Sequence, residues 1–173
     1  MILPSLHKFS TVLFVVAAAL LAAQGGPPRK PSFGFTFLEP AGIDPYDARV
    51  MSQSLRSEIS HTGVYRTLEF SYITMQLAQQ NLPDRCTDIR CAIVAGQLLG
   101  VDYFGFGTIG RIGKAMTVSM QIVEVRSGRI IREVSEFFKG NQQEFEQRVL
   151  PDFALKVCGI EPPADSRRRR KKQ

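Results

Sequence analysis

The sequence contains few of the residues that build catalytic and metal-binding sites. Only two histidines and three cysteines occur among its 173 residues. His7 lies in an N-terminal segment that is predicted to be cleaved, and His61 lies beside Gly63 at a predicted helix end, where the helix dipole stabilises a basic ring. The carboxylates are scattered, and no nucleophile, base and oxyanion site come together. The composition therefore predicts a protein that is not an enzyme and binds no metal or cofactor.

The sequence also lacks an apolar run long enough to span a bilayer, which takes about twenty residues. An unbroken apolar run extends from Val12 to Ala23 behind Lys8, and small residues follow it. This arrangement is typical of a secretory signal, so we interpret residues 1–25 as a signal peptide cleaved near Gly25. Retention as an N-terminal anchor is the alternative. No cysteine follows the run to accept a lipid, which predicts a soluble exported protein, periplasmic or associated with the outer membrane.

The excess of positive charge is concentrated at the C-terminus. The chain has 22 Lys and Arg against 16 Asp and Glu, but removing Lys8 and the six basic tail residues leaves 15 cations, so the rest is nearly neutral. Residues 160–173 cannot bury apolar area and are predicted to form a disordered basic tail. Six of its residues are predicted to contact an anionic membrane surface or a cell-wall polymer, in a salt-dependent way: Arg167, Arg168, Arg169, Arg170, Lys171 and Lys172. The export signal disfavours nucleic acid, and a solvated tail without a dedicated partner is the alternative.

The first half of the domain predicts strands alternating with helices. Phenylalanines alternate with small residues from Ser32 to Leu38, which predicts a strand with one buried face. Asp44 is a suitable N-cap for a helix that Gly63 ends. A shorter strand is predicted at Val64–Phe70, and Ser71 is predicted to cap the second helix.

The central stretch predicts a third helix and a glycine-containing strand. Thr87 or Asp88 can cap a helix that runs from Ile89 to Leu99, and Gly100 is suited to end it. The helix contains several small residues, which predicts close packing against a sheet. Residues 101–112 follow as a strand that ends in a tight turn.

The last part of the domain predicts an antiparallel meander and a final helix. Apolar and polar residues alternate from Met116 to Ile122, and a further strand is predicted from Ile130 to Phe138. Asn141 and Glu144 occupy capping-box positions at the start of the last helix. Pro151 is predicted to kink or split that helix, because proline cannot donate the intrahelical hydrogen bond.

Together these elements predict an α/β (α+β) domain at residues 32–159, joined to the signal by a linker at residues 26–31. The predicted order is β-α-β-α-α-β-β-β-α. It corresponds to a mixed sheet of about five strands, with the helices packed on one face and a C-terminal antiparallel meander.

A literal G-x-G-x-x-G sequence occurs at residues 105–110. A dinucleotide site needs a helix to start at the last glycine and receive the pyrophosphate on its N-terminus, whereas a turn and a strand follow here. We interpret Gly105 and Gly107 structurally, as positions that clear one face of the strand so that a helix backbone can approach.

The spacing of the cysteines disfavours both redox and zinc chemistry. Cys86 and Cys91 are five apart, unlike the Cys-x-x-Cys of thiol oxidoreductases, and no second pair or histidine cluster completes a zinc site. In an oxidising compartment they are predicted to form a local disulfide. Cys158 is then either a buried thiol or the true partner of one of the other two.

Five motifs extend over nearly the whole mature domain, at residues 55–59, 86–92, 96–103, 107–113 and 123–128. In this order they resemble the CsgG-like periplasmic domains, named for the curli-assembly secretion lipoprotein and similar to the N-terminal domain of TolB. The resemblance implies an α/β domain with a mixed sheet, no enzyme activity, and work in envelope assembly, secretion or protein–protein contact. The chain lacks the lipid-accepting cysteine and the long hairpins of the curli pore, so a pore is not expected.

The functional prediction is therefore a non-enzymatic binding or oligomerising module of the cell envelope. Its expected partners are envelope proteins or a second copy of itself, and its contact surface is predicted on the first and third helices and the strand edges. The alternative is a periplasmic regulator of a peptidoglycan synthase, similar to the penicillin-binding-protein activators.

Overall fold

The computed structural model describes residues 29–163, so the predicted signal peptide, part of the linker and the six tail cations lie outside the described residues. The described part is an α+β domain with a mixed sheet and five helices. The strands are β1 (Ser32–Phe35), β2 (Glu39–Ala41), β3 (Arg66–Thr67), β4 (Tyr103–Ile112), β5 (Ala115–Glu124) and β6 (Arg129–Lys139). The helices are α1 (Pro45–His61), α2 (Phe70–Gln79), α3 (Ile89–Leu99), α4 (Gln142–Arg148) and α5 (Leu150–Val157). Among these helices, none combines the length and the apolar character that crossing a bilayer requires.

The sheet has the order β3-β1-β4-β5-β6. Strand β1 is parallel to both of its neighbours, β3 and β4, and β2 pairs in parallel with a later part of β4. Strands β4, β5 and β6 are antiparallel. The predicted mixed sheet with a C-terminal meander is therefore confirmed.

The predicted strand from Ser32 to Leu38 is interrupted, because the pairing stops at Phe35 and resumes in β2. Two buried hydroxyl groups bond to backbone N–H groups around the interruption. Ser52 Oγ accepts from the backbone N of Leu38 at 3.1 Å, and Thr36 Oγ1 accepts from the backbone N of Cys86 at 2.9 Å. The break is thus supported by hydrogen bonds that offset the cost of burying polar groups.

Helices cover both faces of the sheet, so the prediction that they lie on one face is wrong. Phe104 faces α3, since a Cβ built on Gly96 of that helix would lie 3.2 Å from the Cβ of Phe104. The next residue of β4, Gly105, faces the opposite way and is aligned through β5 with Arg132 of β6. Arg132 Nη1 donates to the carbonyl oxygen of Val157 in α5 at 2.5 Å, and α1 packs against α5. Helices α2 and α3 therefore lie on one face, and α1 and α5 on the other.

Because helices cover both faces of the sheet, the prediction of a single buried face for β1 is also wrong. All four residues of β1 are buried, although alternation predicted a single buried face. Strand β5 does follow its predicted alternation, with Met116, Val118, Met120 and Ile122 all buried.

Three of the four predicted N-terminal helix caps are present. Asp44 Oδ1 accepts from the backbone N of Tyr46 at 2.8 Å, Asp88 Oδ1 accepts from that of Cys91 at 2.9 Å, and Asn141 Oδ1 accepts from that of Glu144 at 2.8 Å. Gly100 ends α3 in the left-handed conformation with φ of 62°. Local sequence signals were sufficient at these ends because each cap is made by residues next to it in the chain.

Two elements differ from the prediction. The second strand shrinks to β3, and α2 begins at Phe70 with no side-chain cap, so Ser71 is inside the helix. Phe70 is buried, with its ring centroid 4.4 Å from that of Phe37 and 5.0 Å from that of Phe35. This packing depends on aromatic residues that are distant in the sequence. The propensity of each residue alone therefore could not predict that Phe70 belongs to the helix. Pro151 splits the last helix into α4 and α5, as expected.

Candidate functional site

The residues that suggest chemistry do not form an active centre in the described part of the chain. No group of three or more His, Cys, Asp or Glu within residues 29–163 could hold a metal ion. Gly105, Gly107 and Gly110 all lie within β4, and a hairpin to β5 follows them. The structure therefore supplies no helix N-terminus at which this G-x-G-x-x-G sequence could bind a pyrophosphate.

Gly105 does not clear the strand for an approaching helix, so the interpretation given to it from the sequence is wrong. A Cβ on Gly105 would lie 3.0 Å from Met120 Sδ and 3.1 Å from the ring of Phe33, so side chains of the sheet fill this space. The glycine that lets a helix approach is Gly96 in α3, where a Cβ would lie 2.5 Å from Val125 Cγ2. The close contact is made by the helix residue and not by the strand residue, which sequence spacing alone does not reveal.

The central cysteines form a disulfide between α3 and the loop that precedes it. Cys86 and Cys91 are joined with an S–S distance of 2.05 Å, as predicted. Cys86 is fully buried and its backbone N–H is bonded to Thr36, next to the end of β1. Cys91 lies in the first turn of α3. The disulfide therefore joins the start of α3 to the preceding loop, and the hydrogen bond from Cys86 to Thr36 links that loop to the segment after β1.

Cys158 is the buried thiol of the two alternatives that the sequence leaves open. Its sulfur lies 3.2 Å from Thr62 Oγ1, and it forms no disulfide. Burial raises the pKa of this thiol above its usual value. The reactive thiolate is therefore disfavoured at neutral pH, and the residue behaves as part of the core.

A pair of residues distant in the sequence joins the starts of β1 and β4. Both the backbone N–H and the hydroxyl of Ser32 donate to Asp102 Oδ2 at 2.7 Å, and the backbone N of Asp102 donates to Ser32 Oγ at 3.0 Å. The hydrogen bond from the Ser32 backbone, followed by that from its side chain, lowers the pKa of Asp102. The carboxylate is therefore ionised at neutral pH and carries a fixed negative charge at this end of the sheet.

An open groove of about 560 Å³ lies beside this pair. Its walls come from the end of α3, the start of β4 and the turn after β5, and the N-terminal approach to β1 borders it. Its polar lining residues are Arg29, Gln97, Asp102, Tyr103, Glu124 and Arg126. The groove thus presents cations, carboxylates and a tyrosine on well-anchored elements, an arrangement suited to binding a polar partner surface.

The contact surface that the sequence predicts on the first and third helices is not continuous in the structure. Because α1 and α3 lie on opposite faces of the sheet, they do not form one continuous surface. His61 is exposed in the last turn of α1, in keeping with its predicted place at a helix end. The cations from Arg167 to Lys172 lie outside the described residues, so their contact with anionic surfaces stays a prediction.

Comparison with protein-family models and with curated protein sequences gives no match. Comparison with solved structures finds the C-terminal domain of LpoB from Escherichia coli, with a TM-score of 0.54 and 17% identity over 73% of this chain and 94% of that chain. The lipoprotein GNA1162 from Neisseria meningitidis matches with a TM-score of 0.55 and 16% identity, over 65% and 83% of the two chains. A PelC dodecamer from Paraburkholderia phytofirmans matches with a TM-score of 0.51 and 11% identity, over 78% of this chain and 92% of that chain. The chain therefore has a fold similar to that of these proteins.

Proposed function

We propose that this chain is a non-enzymatic protein of the cell envelope that binds and regulates a peptidoglycan synthase. The observation that carries the proposal is the likeness to the LpoB C-terminal domain, which extends over 94% of that domain. This likeness supports the synthase regulator better than the CsgG-like secretion module, because an LpoB domain is among the similar structures. The predicted signal peptide agrees with a location in the envelope.

The groove beside Asp102 is the surface proposed for contact with the synthase. It is built on three anchored elements and combines charges of both signs, which favours specific recognition of a complementary polar surface. Its floor is held by the Ser32–Asp102 bonds and by the backbone N of Val125, which donates to the carbonyl oxygen of Asp102 at 3.0 Å. A preorganised surface of this kind loses little conformational entropy on binding.

The test is the rate at which a purified bifunctional synthase from the same organism polymerises a lipid-linked precursor, with and without the purified chain. We expect the chain to change this rate and Arg126→Glu, which reverses a charge in the groove, to weaken the effect. Arg90→Glu is the matched control, since Arg90 is exposed near the start of α3, away from the groove. A rate that the wild-type chain leaves unchanged, together with no binding to the synthase, contradicts the proposal.

The basic tail is proposed to add electrostatic attachment to an anionic surface. Replacing the residues from Arg167 to Lys172 by glutamine is expected to abolish binding to phosphatidylglycerol vesicles at low salt and to leave the circular dichroism spectrum unchanged. Co-sedimentation at low and high salt measures this. Vesicle binding that survives the replacement contradicts the tail's role. Self-association, the other predicted interaction, is tested by light scattering of the same samples.

A further inference from the structure

One end of the sheet carries an excess of positive charge. Five exposed cations lie where β1, β3 and β6 begin and β5 ends: Arg29, Lys30, Arg66, Arg126 and Arg129. The strand ends here also carry two carboxylates, at the start of β4 and at the end of β5. The chain apart from Lys8 and the six tail cations has 15 Lys and Arg against 16 Asp and Glu, so this excess is local.

Three of these cations surround the groove beside Asp102, and we call them the arginine rim: Arg29, Arg66 and Arg126. Arg29 and Arg126 line the groove. After the hydrogen bonds from Ser32, the charges of Arg29 and Arg66 lower the pKa of Asp102, so both guanidinium groups lie in its neighbourhood. Among residues 29–163, no rim side chain forms an ion pair or a hydrogen bond.

The two carboxylates at this end are engaged by hydroxyl groups of the chain. Asp102 Oδ2 accepts two hydrogen bonds from Ser32 at 2.7 Å, and Glu124 Oε2 accepts one from Ser127 Oγ at 2.6 Å. The rim therefore keeps its donors free for carboxylates supplied from outside the chain. Guanidinium groups bind carboxylates through paired, charge-assisted hydrogen bonds, which are stronger than neutral ones.

We propose that the arginine rim and the groove bind an acidic segment of a partner protein. Carboxylates of the segment pair with the rim, and the remaining cations at this end of the sheet attract it before contact. The inference rests on the proposed role of the groove as a protein-contact surface and adds the chemistry of the partner. It does not require that the partner be a synthase.

The shape of the site favours a protein segment over an anionic bilayer. The groove is concave, and uncharged residues such as Gln97 and Tyr103 line it together with Arg29 and Arg126. Side chains of a protein segment can enter a groove of this kind, whereas a planar layer of headgroups contacts only the groups that protrude. Arginine and tyrosine are also enriched at protein–protein interfaces.

The probe is chosen to match the width of the rim. The rim extends over the neighbouring strands β3, β1, β4 and β5, which places it across about 15 Å at about 4.8 Å for each strand step. A fluorescein-labelled peptide of alternating glutamate and serine, about eight residues long, covers this distance when extended. Fluorescence anisotropy measures its binding to the chain. Every variant carries glutamine in place of the tail cations Arg167 to Lys172, so the tail cannot attract the peptide.

Charge reversal at the rim is compared with the same reversal elsewhere. Arg29→Glu combined with Arg126→Glu is expected to weaken binding at least about tenfold, because one lost charge-assisted contact contributes about that much. Lysine at both positions keeps the charge without the paired geometry, and it is expected to weaken binding less. Arg111→Glu combined with Lys114→Glu is the matched control. It changes the net charge equally, at the β4–β5 hairpin on the opposite end of the sheet, and is expected to retain most of the binding.

Three outcomes overturn the proposal. Equal weakening by the two double variants means that net charge alone attracts the peptide, and unchanged binding by the rim variant means that the rim makes no contact. Binding to phosphatidylglycerol vesicles that depends on Arg29 and Arg126, without peptide binding, assigns the rim to lipid.

The synthase rate assay separates this inference from the proposed function. Peptide binding through the rim together with an unchanged synthase rate contradicts the proposed function alone. A changed synthase rate without peptide binding contradicts the acidic partner alone.

Discussion

Strands β1 and β6 both contain phenylalanines, but these side chains occupy very different environments. Phe35 in β1 is 1% exposed, whereas Phe137 in β6 is 59% exposed. Strand β1 lies between two parallel neighbours with helices on both faces, and β6 lies at the edge of the sheet with α5 on one face. The covered half of the domain holds the disulfide and the fully buried phenylalanines of β1, whereas β6 keeps the large apolar side chain of Phe137 exposed. The two strands of one sheet thus differ in how much of the core they form.

Truncating one phenylalanine in each strand tests this division and is expected to have the largest effect. Phe35→Ala is expected to lower the free energy of unfolding by about 3–5 kcal/mol, because it leaves a cavity in a filled core. Phe137→Ala is expected to change it by less than about 0.5 kcal/mol, since its ring is already hydrated. Urea unfolding followed by circular dichroism measures both, and equal losses would contradict the comparison.

The disulfide lies in the covered half, and its removal is expected to have the second-largest effect on stability. Replacing Cys86 and Cys91 together by alanine is expected to cost about 2 kcal/mol, because the small loop it closes restricts the unfolded chain only modestly. Reduction of the wild-type chain by dithiothreitol, followed by the same urea unfolding, is an independent check. If the reduced chain is as stable as the oxidised one, the disulfide contributes nothing to the free energy of unfolding.

Helix caps provide a comparison in which the two regions are expected to agree. Asp88 caps α3 in the covered half and Asn141 caps α4 just after β6, each through one hydrogen bond to a backbone N–H. Alanine at either position is expected to cost about 1 kcal/mol, the ordinary value for a lost N-cap. Thermal unfolding measures the two variants side by side. A much larger loss at Asp88 alone would indicate that the cap also supports the neighbouring disulfide loop.

The smallest expected effect is the pH dependence contributed by Asp102. Its pKa is lowered in the folded state by the hydrogen bonds from Ser32, so its contribution to stability is fully present above the unfolded pKa, about 3.9. That contribution is lost as the pH falls through the lower, folded-state pKa. Asp102→Asn preserves the shape but not the charge, so the stability difference between wild type and variant is expected to shrink below about pH 4. Urea unfolding between neutral and acidic pH measures it, and a constant difference across that range would contradict the assignment.

Features that depend on neighbouring residues could be predicted from the sequence. The caps at Asp44, Asp88 and Asn141, the glycine that ends α3, the split at Pro151 and the local disulfide all involve partners a few residues apart. The alternating burial of residues in β5 could also be predicted, because apolar and polar residues alternate along a strand that has one covered face. The order of the elements and the mixed sheet follow from these local signals.

Tertiary structure alone decided which surfaces are buried and which residues meet. Ser32 and Asp102 are seventy residues apart in the chain, and nothing near either residue signals their pairing. The burial of both faces of β1, the placement of α1 and α3 on opposite sides of the sheet, and the exposure of Phe137 depend on where the helices pack. The sequence by itself determined the local elements, because short-range hydrogen bonds and turn chemistry specify them. The arginine rim around Asp102 exists only because the folded sheet brings three distant segments of the chain to one of its ends.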